Sequence, residues 1–200
     1  MKPSVGILAL QGAFAEQAAA FREAGAETFE IRSPPDLSRR LDALVLPGGE
    51  STVQGRLLEK TGLFGPLADR IRGGLPVFAT CAGLILLAER IEGGGPEWFA
   101  ALPVTVRRNA YGRQLGSFST IGKAGEDEDV PMTFIRAPAI TATGPGVEIL
   151  SSFGGAPTGV RCGRIAAFAW HPELSADRRV VKRFLSSLGE RAGHDVTAGA

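Results

Sequence analysis

The sequence is poor in the residues that mark several common classes of protein. Its 200 residues include only two cysteines, Cys81 and Cys162, which are too few for a disulfide framework and are not spaced for a zinc site. No apolar run reaches the roughly 18 residues of a membrane span, and the N-terminus begins directly with strand-like sequence instead of a signal peptide. We therefore expect a cytoplasmic protein with free thiols, no membrane segment and no bound metal.

A strong excess of charge of either sign is also absent. The formal net charge is +1, and the arginine pairs at 39–40, 107–108 and 178–179 are not interleaved with aromatic residues. This pattern argues against a surface that binds nucleic acid. The acidic run at 126–129 is interpreted as a solvated loop.

The length and composition fit one globular domain. The hydrophobic content of 44% is enough for a continuous core. We assign residues 1–190 to this single domain. Residues 191–200 are small and polar, include His194, and are predicted to form a flexible tail.

Strand and helix signals alternate through the first half of the chain. Apolar runs predict strands over 5–9, 27–31, 43–46 and 76–79, and helical periodicity predicts helices over 13–24, 53–60, 66–72 and 84–88. This alternation predicts an α/β fold, a three-layer sandwich with a mostly parallel central sheet flanked by helices. In such sheets, sites form beyond the carboxyl ends of the strands.

The second half has a different texture. Short strand candidates at 104–107, 118–121, 133–135, 147–153 and 164–170 are separated by glycine, proline and asparagine turns. We expect them to add antiparallel strands to the sheet. An amphipathic helix over 177–188 closes the domain.

Cys81 lies at the corner between a predicted strand and a predicted helix, where small residues crowd the turn. At a helix N-terminus, unpaired backbone N–H groups favour a thiolate, and the amide of Ala82 points where an oxyanion would form. A lone cysteine in an apolar stretch is more often a small buried hydrophobe. A partner base is therefore needed to favour a nucleophile.

His171 and Glu173 supply that partner. The chain has only two histidines, and His171 ends an aromatic-rich strand candidate and is followed at once by Pro172 and Glu173. In an extended segment alternate residues share a side, so Glu173 can orient the imidazole. The coincidence with Cys81 favours a Cys-His-Glu triad over a buried core histidine.

The sequence Pro-Gly-Gly-Glu-Ser at 47–51 follows the third predicted strand. It lacks the lysine of a phosphate-binding loop, and an isolated pair of glycines is usually only a tight turn. It nevertheless lies at the same edge of the sheet as Cys81, so a backbone amide here can serve as a second oxyanion donor.

Six short motifs together resemble a known family, the class I or triad glutamine amidotransferases. They are Leu-Gln-Gly at 10–12, Pro-Gly-Gly-Glu-Ser-Thr at 47–52, Thr-Cys-Ala-Gly at 80–83, Arg-Asn-Ala-Tyr-Gly-Arg at 108–113, Phe-Ile-Arg-Ala-Pro at 134–138 and His-Pro-Glu at 171–173. More narrowly, the chain is similar to the glutaminase subunits of pyridoxal 5'-phosphate synthases over about residues 4–188.

The resemblance implies roles at the matching positions. Cys81 attacks the carboxamide of glutamine, His171 and Glu173 complete the triad, and Gly49 and Ala82 donate to the oxyanion. The residues implied to hold the backbone groups of glutamine are Glu50, Ser51, Arg108, Ile135 and Arg136. Gln11 is implied to sense a partner synthase subunit.

The implied activity is hydrolysis of L-glutamine to glutamate and ammonia through a cysteinyl thioester, without a metal or organic cofactor. The ammonia would pass to the synthase subunit, which builds pyridoxal 5'-phosphate. One alternative is another triad thiol hydrolase, such as a γ-glutamyl hydrolase or an amidotransferase for another synthase. A second alternative, from a different class, is a regulatory subunit without catalytic activity, and the intact Cys, His and Glu argue against it. No role is assigned to Cys162.

Overall fold

A computed structural model describes residues 1–110 and 117–190 of the chain. The predicted tail at 191–200, with His194, and the end of the motif at 108–113 lie outside these residues. The helices are α1 (Phe14–Glu23), α2 (Ser51–Lys60), α3 (Phe64–Arg72), α4 (Ala82–Leu87) and α5 (Arg179–Glu190). The strands are β1 (Ser4–Leu8), β2 (Glu27–Ile31), β3 (Ala43–Leu46), β4 (Val77–Thr80), β5 (Ala88–Ile91), β6 (Leu102–Arg107), β7 (Ser117–Ala124), β8 (Asp127–Ile135), β9 (Ala139–Thr143), β10 (Glu148–Phe153), β11 (Ala156–Cys162) and β12 (Ile165–Phe168).

A nine-stranded mixed sheet runs through the centre of the fold, in the order β2-β1-β3-β4-β12-β11-β10-β7-β8. The first five strands in this order are parallel, and the remaining pairings are antiparallel. The predicted α/β class, with a parallel region and antiparallel additions from the second half, is confirmed. β12 returns from the second half to pair in parallel with β4, which brings the end of β12 beside Cys81.

The two faces of the sheet pack against different helices. Successive residues of β3 alternate, so that Leu44 and Leu46 join one apolar cluster while Ala43 and Val45 join the other. α2, α3 and α4 contribute to the first cluster, and α1 and α5 contribute to the second. Continuous apolar strands covered on both faces are what a parallel α/β sheet requires.

Several predictions for the chain beyond β4 were wrong. The strand predicted at 104–107 lies in a separate three-stranded sheet, β5-β6-β9, instead of the main one. β5, β9 and β11 were not predicted, and the helix expected to continue to residue 88 ends at Leu87 because the chain turns directly into β5. The apolar residues of this small sheet join the cluster on the α2 side.

The acidic run at 126–129 is not a simple loop. Its last three residues begin β8, which pairs with β7. The charges are matched on the surface, since Arg183 of α5 contacts Asp127 at 2.7 Å and Lys123 contacts Glu128 at 2.6 Å. The acidic composition obscured a strand in which Asp127 and Glu128 are paired by residues outside the run.

Candidate active site

The predicted site residues collect where the parallel strands end. The segment after β1 contains Gln11, the segment after β3 contains the glycine turn, and Cys81 follows β4 directly. An open cavity of about 430 Å³ lies at this edge of the sheet, within the usual range for small-molecule sites of about 300–1,000 Å³. It is lined by Gln11, Gly12, Ala13, Gly48, Gly49, Glu50, Ser51, Thr52, Cys81, Ile85, Arg108, Asn109, Ile135, Arg136 and His171.

Cys81 occupies a strained backbone position between β4 and α4. Its φ of 48° and ψ of −101° lie outside the regions that non-glycine residues prefer, at a cost of about 1–3 kcal/mol. Its N–H donates to the carbonyl of Phe168 at 2.8 Å. The turn packs closely against β3, since a Cβ on Gly83 would collide with the carbonyl oxygen of Leu46. Strain held by such packing is typical of residues selected for function rather than stability.

The buried thiol of Cys81 faces the cavity, and its sulfur lies 4.0 Å from the carbonyl oxygen of Ile135. Ala82, the first residue of α4, is fully buried and does not line the cavity. α4 has only six residues, so it is not a long helix with a large dipole. Its contribution to the electrostatic potential at Cys81 comes from the free N–H groups of its first turn.

His171 and Glu173 are both buried, and His171 Nδ1 lies 2.7 Å from Glu173 Oε1. The backbone between them is a 3₁₀ turn over Pro172–Leu174, and not the extended segment predicted from the sequence. Proline at the first helical position fixes φ near the helical value. The turn places Glu173 behind the imidazole, away from the cavity, while His171 itself lines it.

The environment of His171 favours its protonated form. Burial alone would lower the pKa of His171, but hydrogen bonds to Cys81 and Glu173 and their negative charges raise this pKa from 6.5 to about 10. The geometry therefore supports a protonated imidazole beside the Cys81 sulfur at neutral pH.

We expect Glu173→Gln to shift the pH dependence of activity. In the wild-type protein the imidazolium persists at neutral pH, so kcat/KM should decline only as the pH approaches about 10. Removing the Glu173 charge removes one of the causes that raise the His171 pKa and weakens another, because an amide oxygen is a weaker acceptor than a carboxylate. The decline should therefore move to lower pH. The variant should also lose less activity than His171→Asn, since an orienting group contributes less than the base.

A pH profile of glutamine hydrolysis from about pH 6 to about pH 11 checks this expectation, since it spans the His171 pKa of about 10. Glu92→Gln is the matched control, because Glu92 pairs with the exposed Arg107 and does not line the cavity. Superimposable alkaline limbs for wild type and Glu173→Gln would contradict the assigned origin of the His171 pKa.

Hydrogen bonds hold the glycine turn in place on several sides. The carbonyl of Gly48 accepts from the Ala13 N–H at 2.9 Å, and the Gly48 N–H donates to Thr80 Oγ1 at 3.0 Å. The Glu50 N–H donates to Gln11 Oε1 at 2.8 Å. The peptide groups on both sides of Gly49 are thus positioned by side chains and backbone of neighbouring segments.

Charged groups of both signs also line the cavity. Glu50 caps α2 by accepting from the Val53 N–H at 2.7 Å and the Thr52 N–H at 3.2 Å. Burial raises the pKa of Glu50, but these hydrogen bonds and the charge of Arg108 outweigh it and hold the pKa below its usual value. Arg108 also donates to Thr52 Oγ1 at 3.0 Å. A zwitterionic ligand would find both an anion and a cation here.

Sequence reasoning missed several residues of this region. Gly12, Thr52 and Asn109 line the cavity although no role was predicted for them. Thr80 and Gln17 lie fully buried behind it. All of them except Gln17 lie inside the recognised motifs, and that membership is the one signal in the sequence that could have indicated them. Cys162 ends β11 and does not line the cavity.

Two kinds of feature are absent from the described part of the chain. Among residues 1–110 and 117–190, no cluster of three or more histidine, cysteine or acidic side chains could hold a metal ion. No helix over the same ranges is long and apolar enough to cross a membrane.

Comparisons with known proteins show which proteins this chain is similar to. Residues 7–190 match the model of the SNO glutamine amidotransferase family. A curated relative from Desulfitobacterium hafniense (strain Y51), named pyridoxal 5'-phosphate synthase subunit PdxT, is 50% identical over 93% of this chain and 94% of its own length. A protein of the same name from Bifidobacterium longum is 47% identical over 90% of this chain and 98% of its own length.

Solved structures give the same result. A crystal structure described as a glutamine amidotransferase superposes with a TM-score of 0.87 at 40% identity, covering 92% of this chain and 98% of the other. A glutamine amidotransferase from Thermotoga maritima superposes with a TM-score of 0.62 at 15% identity, covering 98% of this chain and 86% of the other. At that identity the second match shows the fold alone.

Proposed function

This chain belongs to the SNO glutamine amidotransferase family, and we propose that it is the glutaminase subunit of a pyridoxal 5'-phosphate synthase. It hydrolyses L-glutamine to L-glutamate and ammonia and delivers the ammonia to a synthase subunit. The observation that carries the proposal is one cavity that holds a strained cysteine, a histidine paired with a buried glutamate, and a fixed glycine turn. The names of the relatives support the choice of synthase.

In the proposed reaction the thiolate of Cys81 attacks the carboxamide carbon of glutamine, and a carbon–sulfur bond forms. The amides of Gly49 and Ala82 stabilise the oxyanion. The His171 imidazolium gives its proton to the departing nitrogen, and the carbon–nitrogen bond breaks to release ammonia. A γ-glutamyl thioester remains on Cys81. His171 then removes a proton from water, the resulting hydroxide attacks the thioester, and the sulfur leaves as thiolate. Glu173 holds the imidazole in position throughout.

The charged part of the cavity binds the α-amino-acid end of glutamine. Arg108 and Arg136 hold the α-carboxylate, which a guanidinium matches with two parallel hydrogen bonds. Glu50 accepts from the α-ammonium group. Ser51 and Ile135 also line the cavity and supply the remaining contacts to the backbone groups of glutamine.

We place the protein in the cytoplasm, bound to synthase subunits in a hetero-oligomer, and assign partner sensing to Gln11. The Gln11 side chain holds the glycine turn by accepting from the Glu50 N–H at 2.8 Å. Its carbonyl accepts from Nε2 of Gln54 in α2 at 2.9 Å, and the same Nε2 donates to the Pro47 carbonyl. A partner that moves Gln11 therefore moves the peptide next to the oxyanion donor Gly49.

We expect the isolated chain to hydrolyse glutamine slowly and saturating synthase subunit to raise the rate by roughly 10²-fold, because an oxyanion donor displaced by about 1 Å costs that much. The stimulation should disappear in Gln11→Ala and persist in Glu59→Ala, an exposed position near the end of α2. Glutamate release with and without the synthase subunit measures both effects. Equal rates in the two conditions would remove the gating role and favour a stand-alone hydrolase.

A further inference from the structure

The buried hydroxyl of Thr80 contacts both the glycine turn and Glu173 of the candidate active site. Thr80, the last residue of β4, is fully buried directly before Cys81. Its Oγ1 lies 3.0 Å from the Gly48 N, 2.9 Å from Gln17 Nε2 and 3.5 Å from Glu173 Oε1. One side chain therefore contacts the glycine turn, α1 and the acid of the triad.

The chemistry of these contacts fixes the direction of the hydroxyl proton. A threonine hydroxyl has one proton to donate and two lone pairs to accept. The Gly48 N–H and the Gln17 amide are both donors, so they occupy the two lone pairs. The proton is left to face the carboxylate of Glu173. At 3.5 Å this contact is long, as hydrogen bonds at catalytic sites often are before substrate binds.

Glu173 is held through one oxygen. Its Oε1 contacts both His171 Nδ1 and Thr80 Oγ1, whereas its Oε2 has no hydrogen-bond partner among the residues the structure describes. Thr80 is therefore the group, besides His171 itself, that orients this carboxylate.

The other end of the same hydroxyl positions Gly48. Gly48 packs between the catalytic candidates, since a Cβ built on it would overlap Cε1 of His171 and approach Cβ of Cys81 to 3.5 Å. A shift of the Gly48 peptide thus changes the space between the thiol and the imidazole as well as the place of the adjacent Gly49.

We propose that Thr80 is a positioning residue that couples the glycine turn to the Cys-His-Glu triad through its buried hydroxyl. The inference rests on the proposed glutaminase reaction. Thr80 then aligns the oxyanion donor Gly49 with the base His171. Loss of its hydroxyl should therefore lower the rate of the chemical step and leave the affinity for glutamine largely intact. Gln17 supports the hydroxyl from α1.

Two matched pairs of variants isolate the hydroxyl. Thr80→Val replaces it with a methyl group of similar shape. Thr80→Ser and Thr80→Ala both lose the methyl group and differ from each other only in the hydroxyl, so they decide the question if Thr80→Val fails to fold. Each is made in a Cys162→Ser background, which leaves Cys81 as the single thiol.

We expect Thr80→Val and Thr80→Ala to lower kcat, counted per titrated active site, by about tenfold to hundredfold, with KM changed by less than about threefold. Thr80→Ser should restore most of kcat. The rate at which iodoacetamide alkylates Cys81 at neutral pH should fall in the same two variants and recover in Thr80→Ser. This rate depends on the alignment of the Cys81 sulfur with His171.

Equal kcat values and equal alkylation rates in Thr80→Ser and Thr80→Ala would overturn the proposal, whatever their melting temperatures. A merely structural role would change the folded fraction and not the rate per active site. Alkylation needs no glutamine, so it still tests Thr80 if the wild-type protein fails to hydrolyse glutamine, an outcome that would instead contradict the proposed function.

Discussion

Replacing Cys81 with alanine should reduce glutamine hydrolysis by roughly 10⁴-fold or more, because no other described residue that lines the cavity carries a thiol. Cys81→Ser should be nearly as inactive, since a seryl hydroxyl is far less acidic and His171 is poised to hold the proton of a thiol. The fold should survive both changes.

Release of glutamate measures the activity, and circular dichroism with thermal unfolding measures the fold. Cys162→Ser is the matched control, because Cys162 is the other free thiol and lies outside the cavity. Wild-type turnover in Cys81→Ala, or an equal loss in Cys162→Ser, would remove Cys81 as the nucleophile.

Gly48→Ala should lower kcat by at least about 10²-fold through a steric effect on the base. The new Cβ would overlap Cε1 of His171 and lie 3.0 Å from its Nδ1. The ring has little room to retreat, because it is buried and its Nδ1 is held by Glu173 at 2.7 Å. Either the imidazole or the glycine turn must move, and both belong to the proposed machinery.

Gly65→Ala provides the control for this substitution. Gly65 lies in α3, and a Cβ there meets nothing within 4 Å apart from its chain neighbours, so the change should leave kcat unchanged. Steady-state kinetics of the two variants side by side separates the local clash from a general effect of losing a glycine. An unchanged kcat in Gly48→Ala would show that the turn and the imidazole are not in the close contact described above.

The parallel part of the fold was predictable because its signals are local. β2 and β3 have the predicted bounds, since each is a short strand-forming segment ended by residues that break strands. The helices were found too, although α2 begins at Ser51 and not at 53, and α3 at Phe64 and not at 66. The earlier start of α2 depends on Glu50, whose capping role is visible only in three dimensions.

The second half was less predictable because its pairings are not local. β8 begins with acidic residues that Arg183 and Lys123 neutralise, and α5, which carries Arg183, lies more than 50 residues further along the chain. β5 and β9 are short segments whose partner is β6, so their strand character depends on that pairing.

The candidate site shows the same division. The motifs at 47–52, 80–83 and 171–173 named residues that the fold brings into one cavity, because ends of parallel strands meet at one edge of a sheet. The contacts of Thr80 and Gln17 could not be predicted from the sequence, because they depend on how one hydroxyl is oriented among three partners in the folded chain.

The central claim is that this chain supplies the nitrogen of pyridoxal 5'-phosphate from the amide of glutamine. Its most direct test is to incubate the chain and the synthase subunit with a pentose phosphate, a triose phosphate and glutamine labelled with nitrogen-15 in the amide, and to weigh the product by mass spectrometry. We expect labelled pyridoxal 5'-phosphate from the wild-type chain. With Cys81→Ala we expect none unless an ammonium salt is added. Unlabelled product from the wild-type chain, or equal label incorporation with Cys81→Ala, would contradict the account.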